Sequence, residues 1–195
     1  MEMNASFMKR LLAYLIDTVI VAFLFAIVVS GIKNDKISNL QKQLSEVQNK
    51  YLSQEITSSD YLGQMAEINY DLQKSSVLSN TIYVIILIGY FGVFQFWNNG
   101  QTLGKKIMKI KVVENDKRPS FMAIFVRSFI INQIFVNILS ILLVFTIKDY
   151  AYYIATIIIS LVNMLIILVS ALMILYRKDK VGFHDMVSHT RVVEV

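Results

Sequence analysis

Four apolar runs of the chain are each long enough to cross a lipid bilayer. They cover residues 11–32, 78–97, 121–145 and 151–175. About 20 apolar residues in a helix span the hydrocarbon core, and a helix satisfies its own backbone hydrogen bonds there. The single proline, Pro119, lies outside all four runs. The sequence therefore predicts an all-α membrane protein with four transmembrane helices.

Composition narrows the function classes. Hydrophobic residues make up 55% of the 195 residues and charged residues 17%, which fits a membrane protein better than a soluble domain. The chain has no cysteine, so it offers no disulfide and no thiolate metal site. His184 and His189 lack metal-ligand spacing and a third ligand nearby. We expect no metal, no cofactor and, without a nucleophile and base, no enzyme activity.

Lysine and arginine are distributed unequally between the segments that connect the apolar runs. Most of them lie in residues 1–10, in residues 98–120 and after residue 176, whereas acidic residues outnumber basic ones in residues 33–76. Connecting segments rich in lysine and arginine usually face the cytoplasm. The pattern predicts that both termini are cytoplasmic and that residues 33–76 are extracytoplasmic.

The polar segment 33–76 has helical periodicity. Its apolar residues recur every three or four positions in two groups, and the groups are Ile37, Leu40, Leu44, Val47 and Tyr51, then Tyr61, Met65, Ile68 and Leu72. This pattern predicts an antiparallel, coiled-coil-like helical hairpin inserted into a membrane domain of residues 1–32 and 77–195. If the first transmembrane helix continues into it, the hairpin projects about 30 Å. It is either a spacer or a docking element for a membrane or extracytoplasmic protein.

The two halves of the chain resemble each other. The motifs "SFMKR" (6–10) and "SFMAIFVR" (120–127) precede the first and third runs, and "IKVVE" (110–114) and "TRVVE" (190–194) follow the second and fourth. Either a parallel repeat of two helices plus a turn and strand or chance similarity explains this. Because β-branched residues favour strands, we predict that the two "VVE" segments pair as a small ribbon.

Asp17 lies well inside the first apolar run, where an ionised aspartate costs about 2.5–3.5 kcal/mol near the bilayer centre. Arg10, Tyr14 and Asp17 share one stripe of the predicted helix. Arg127 enters the third run at a depth similar to that of Asp17, whereas Arg10 starts nearer the surface. We predict that Arg127 is the direct partner of Asp17 and that this cluster handles any ion or proton. Structural support alone is the alternative role.

Other polar residues give weaker predictions. Gln133 and Asn137 add a hydrogen-bonding face to the third helix. Interior amides often only tie helices together, and we favour that role for these two and for the remaining amides in or beside the membrane, which are Gln95, Asn132 and Asn163.

The glycine- and lysine-rich segment after the second run is a candidate for binding lipid phosphate. Its residues Gly100, Gly104, Lys105 and Lys106 combine a potential nest of backbone N–H groups with positive charge. A tight turn that leads into an interfacial segment is the alternative, and we favour it.

Three segments together resemble the RDD family of bacterial integral membrane proteins. They are "KRLLAYLIDTVIV", "GQTLGKKIMKIKVVENDKRPS" and "KDKVGFHDMVSHTRVV". The family is named for one arginine and two aspartates, which the resemblance assigns to Arg10, Asp17 and Asp185. It also implies a location in the bacterial inner membrane. The long hairpin and Val181, where the family motif is often more polar, depart from the pattern.

Two functions are consistent with the sequence. The resemblance implies sodium–proton exchange for some members, and here Asp17 would exchange a proton for a cation beside Arg10 or Arg127. Four helices leave little room for an ion pathway, so this function predicts a homodimer. The alternative is a non-catalytic accessory or regulatory subunit whose hairpin, residues 36–74, docks a partner protein. Neither function involves nucleic acid.

Overall fold

Helices make up most of the computed structural model, which describes residues 3–32 and 34–195. The predicted start of the hairpin at Lys33 and the first two residues of the predicted membrane domain lie outside the described residues. The elements are α1 (Phe7–Val29), α2 (Asp35–Leu52), α3 (Ser58–Ser75), α4 (Val77–Leu87), a π-helix (Ile88–Phe94), α5 (Gln95–Trp97), α6 (Leu103–Ile107), β1 (Ile110–Glu114), α7 (Phe121–Ile131), α8 (Ile134–Thr146), α9 (Asp149–Tyr176), α10 (Phe183–Val187) and β2 (Thr190–Glu194).

Three stretches of helix within the described residues are long and apolar enough to span a membrane. They cover Phe7–Val29, Val77–Trp97 and Asp149–Tyr176. The third predicted span is instead broken into α7 and α8, whose axes differ by 67°. The break falls at Asn132 and Gln133, where Gln133 has a left-handed φ of 57°. Gln133 has no branch at Cβ and adopts this conformation at lower cost than the isoleucines around it.

The two "VVE" segments form an antiparallel two-stranded sheet, as predicted. Val112 lies opposite Val192 in its centre, and both side chains are buried against Ala5 and Ala13. Each strand follows a five-residue helix, α6 or α10. The sheet therefore fixes the N-terminal part of α1 against both of these short helices. We call this end of the membrane domain the sheet side.

The helices α2 and α3 form the predicted antiparallel hairpin. Leu40, Val47 and Ile68 are buried between them. The hairpin does not continue α1, because α1 ends at Val29 and the Asn34 side chain begins a new helix by accepting the N–H of Ile37. We call the end that carries α2 and α3 the hairpin side.

The base of the hairpin packs on the membrane domain. The Tyr70 hydroxyl donates to the carbonyl oxygen of Val144 in α8 at 3.2 Å, and the Tyr70 and Tyr152 rings meet edge to face with centroids 5.6 Å apart. All three side chains are buried. The hairpin is therefore joined to α8 and α9 by buried contacts as well as by its chain connections.

Candidate functional site

Asp17 lies in α1 with 1% of its surface exposed, and its carboxylate accepts three hydrogen bonds. The donors are the Tyr90 hydroxyl at 2.6 Å, the Thr102 hydroxyl at 2.5 Å and the backbone N–H of Gly104 at 2.8 Å. Tyr90 belongs to the π-helix, and Thr102 is the N-cap of α6. These three bonds offset much of the cost of burying the carboxylate and join α1 to two other elements.

Gly104 is required for this contact. A Cβ atom at this position would lie 2.2 Å from the Ala13 carbonyl oxygen and 2.8 Å from Asp17 Oδ1. Gly100 has a φ of 84°, and its N–H donates to the Gln95 carbonyl oxygen. The predicted phosphate nest is therefore wrong for these two glycines, since both N–H groups already have acceptors. A role for the exposed Lys106 stays a prediction.

Asp185 is the centre of a second buried charge cluster. Its side chain is fully buried and forms ion pairs with Arg10 at 2.9 Å and with Arg127. It also accepts the N–H of Gly182 at 3.0 Å, which caps α10. The prediction that Arg127 pairs directly with Asp17 is wrong, because α10 packs against α7 and brings Asp185 to Arg127.

Arg10 connects three elements through its planar guanidinium. Besides pairing with Asp185, it donates to the carbonyl oxygens of Ala5 at 3.2 Å and Val192 at 3.3 Å. Arginine suits this position because its N–H groups point in several fixed directions and stay charged. Arg10 and Asp185 thus fix α1 to α10 and β2.

His184 lies between these clusters and α9. Its Nδ1 is 2.6 Å from the Ser170 hydroxyl, and its Nε2 is 3.5 Å from Asp185. Burial and the nearby positive charges of Arg127, Arg10 and Lys105 hold the pKa of His184 well below 6.5, so the ring is neutral. Among the described residues, Nε2 is buried without a hydrogen-bond partner.

Lys105 brings a positive group close to Asp17. Its ammonium donates to Gln95 Oε1 at 3.3 Å and Thr102 Oγ1 at 3.5 Å. Burial lowers the pKa of Lys105 to about 7; the charge of Asp17 opposes this shift and that of Arg127 adds to it. Lys105 therefore changes its charge near neutral pH.

A cavity of about 60 Å³ lies between the two charge clusters, and we call it the charged cavity. Its lining includes Arg10, Asp17, Lys105, Arg127 and His184. The cavity thus brings together charged groups from α1, α6 and α7 with the ring of His184 from α10.

A second cavity of about 160 Å³ has Tyr14, Phe91 and Asn132 in common with the charged cavity. It is also lined by Gln133 and Asn137. The predicted polar residues Tyr14, Gln133 and Asn137 therefore surround one space beside the break. Asn132 Oδ1 is buried and has no hydrogen-bond partner among the described residues.

Sequence reasoning missed Tyr90, Thr102 and Ser170 as partners. Thr102 precedes a short helical pattern and is a recognisable N-cap, but nothing in the sequence connects it to a residue 85 positions earlier. Tyr90 and Ser170 lie in apolar runs and give no local signal of their contacts.

The comparisons with known proteins give one match. The model of the RDD family matches residues 4–189, nearly the whole chain. No curated protein and no solved structure matches. The expected absence of metal, cofactor and enzyme activity stays a prediction.

Proposed function

The chain belongs to the RDD family, and from that premise we propose that it exchanges a small monovalent cation for a proton across the bacterial inner membrane. The observation that supports this proposal best is the charged cavity, where Asp17 and Lys105 meet beside a broken helix. Lys105, rather than Asp17, carries the exchanged proton. The Asp17 carboxylate already accepts three hydrogen bonds, which hold it in place beside Lys105.

The balance of charges explains why the proton and the cation compete. With Lys105 protonated, the charged cavity and its ion pairs hold three positive groups, Arg10, Lys105 and Arg127, and two negative ones, Asp17 and Asp185. When Lys105 loses its proton, the numbers of positive and negative groups become equal. A cation beside Asp17 then restores the net positive charge, whereas a cation beside a protonated Lys105 is strongly repelled in a poorly hydrated site.

The cation binds where the Lys105 ammonium binds. Gln95 Oε1 and Thr102 Oγ1 accept from this ammonium, and the Asp17 carboxylate supplies the negative charge. Oxygen atoms of these types are ligands for small hard cations as well as acceptors for an ammonium group.

The broken third span provides the route toward the hairpin side. Broken helices in transporters expose backbone and polar groups to an ion near the middle of the membrane. Here the break exposes Gln133, and Asn137 and the free Oδ1 of Asn132 line the adjoining cavity.

The orientation of the protein is part of this proposal. The excess of lysine and arginine on the sheet side favours cytoplasmic termini. Since the chain has no cysteine, single cysteines at Asn115 and Ser58 test this directly in intact cells. A membrane-impermeant thiol reagent reacts with position 58 and spares position 115 if the orientation is correct, and the reverse pattern contradicts it.

A second candidate function is docking of a partner protein on the hairpin. Apolar side chains near its tip are exposed, with Tyr51 at 39%, Leu52 at 71% and Leu62 at 44%. Exposed apolar groups at the end of a rigid hairpin favour contact with another protein. Crosslinking from position 58 in native membranes tests this function, and a single hetero-complex supports it.

Cation-driven proton movement in proteoliposomes tests the first function. Vesicles with a trapped pH indicator receive an outward gradient of sodium or potassium, and the internal pH is recorded. Exchange predicts internal acidification that depends on the cation and on the protein. If wild-type vesicles behave like protein-free vesicles from mildly acidic to mildly alkaline pH, the transport function is excluded.

A further inference from the structure

A third cavity lies between α1 and α9 on the sheet side, and we call it the α1–α9 cleft. Its volume is about 360 Å³, within the range of small-molecule sites. The C-terminal end of α7 also lines the cleft. Most of its lining is apolar and includes Leu11, Ile130 and Ile167.

One end of the cleft is polar. Arg10, Ser170 and His184 lie there, and no carboxylate is present among the described residues that line the cleft. The Arg10 guanidinium uses three of its five N–H groups for Asp185, Ala5 and Val192. Among the described residues the other two N–H groups have no acceptor, so they remain for a ligand.

The charge around this end favours an anion. Asp17 and Lys105 line the charged cavity and not the cleft, whereas Arg10 lines both. Arg10 and Arg127 share Asp185, so this group of three carries one net positive charge. His184 lines the cleft with a side chain 2% exposed, and its Nδ1 lies 2.6 Å from the hydroxyl of Ser170, which also lines the cleft. An apolar cleft with a positive end matches an amphiphile that has an apolar chain and an anionic head.

We propose that the α1–α9 cleft binds one anionic phospholipid. An acyl chain lies along Leu11 and Ile167, and the phosphate faces Arg10. The cleft lies between two helices long and apolar enough to span a membrane, near the first residue of α1 and the last of α9, so a lipid of the sheet-side leaflet reaches it without crossing the membrane. This inference does not depend on the transport proposal.

Native mass spectrometry of the purified full-length chain tests the proposal. The protein is mixed with phosphatidylglycerol or phosphatidylcholine of identical acyl chains, and the bound fraction is measured against lipid concentration. Ile167→Trp fills the cleft, and Ile158→Trp is the matched control because Ile158 lies on the same helix, is 55% exposed and does not line the cleft.

Wild-type protein and Ile158→Trp are expected to retain one phosphatidylglycerol with an affinity about fivefold or more above that for phosphatidylcholine. Ile167→Trp is expected to lose this first binding step. Equal affinity of the wild-type chain for both lipids overturns the proposal without reference to any variant. Unchanged binding by Ile167→Trp also overturns it.

Discussion

The backbone N–H of Gly104 donates a 2.8 Å hydrogen bond to the Asp17 carboxylate. A carboxylate in α1 therefore binds the first turn of α6, which lies more than 80 residues later in the sequence. Asp185 performs a similar task by capping α10 while it binds two arginines. Asp17 and Asp185 thus both fix short helices on the sheet side.

Gly104→Ala is predicted to destabilise the protein by about 1–3 kcal/mol, as overpacking does in well-packed sites. The added methyl group would collide with the Ala13 carbonyl oxygen and with Asp17. Gly63→Ala is the control, since a Cβ there meets nothing within 4 Å. It is expected to raise stability slightly, because alanine favours a helix over glycine. Thermal unfolding in detergent measures both, and an equal effect of the two variants contradicts the account.

Asp17→Asn is predicted to cost about 1–3 kcal/mol of stability. The three donors around Asp17 suit an acceptor with two oxygens, and the asparagine NH₂ group leaves at least one of them without an acceptor. Tyr90→Phe removes a single donor and is expected to cost less. Thermal unfolding of the two variants checks this order. A smaller loss of stability for Asp17→Asn than for Tyr90→Phe would show that the three hydrogen bonds to the carboxylate contribute little to stability.

Asp185→Asn is predicted to be the most damaging of these substitutions, at about 3–5 kcal/mol, because it leaves two buried arginines without a counter-charge. Asp179→Asn is the matched control. Asp179 pairs with Arg177 on the surface, where water screens the charges. The yield of folded protein and its melting temperature are the measurements. Similar values for the two variants would contradict a structural role for Asp185.

Much of the fold could be predicted from local patterns. Hydropathy located the apolar runs, β-branched residues identified the strands around Val112 and Val192, and apolar spacing identified the hairpin. The break at Gln133 was missed because the surrounding residues favour a helix and the sequence holds no glycine or proline there to mark a left-handed turn.

The candidate site was harder to predict. The position of Asp17 in an apolar run indicated that it required a partner, but hydropathy could not say which group that is. The contacts of Asp17 with Tyr90 and Thr102 join residues 73 and 85 positions apart. Arg127 has similar depth to Asp17, and the choice between Asp17 and Asp185 depended on the position of α10, for which the sequence holds no local signal.

The titration of Lys105 predicts a pH dependence of stability. Burial lowers the folded-state pKa of Lys105 to about 7, below its usual value of 10.5. Between these values the unfolded chain binds a proton that the folded chain does not, so this residue makes stability rise with pH. Below pH 7 its burial opposes folding in full. Melting temperatures from pH 6 to 10 are expected to rise less steeply for Lys105→Gln than for wild type. Identical slopes would show that the folded-state pKa is normal.

Cation–proton exchange by Lys105→Gln shows whether Lys105 carries the exchanged proton. Glutamine keeps polar contacts with Gln95 and Thr102 but cannot carry the proton that the cation replaces. The neighbouring Lys106→Gln is the matched control, because Lys106 is exposed and does not line the charged cavity. In proteoliposomes with a sodium or potassium gradient, wild type and Lys106→Gln are predicted to acidify the lumen, and folded Lys105→Gln is predicted to lose at least about 90% of that rate, an increase in the barrier of about 1.4 kcal/mol or more. Undiminished cation–proton exchange by folded Lys105→Gln would contradict the account.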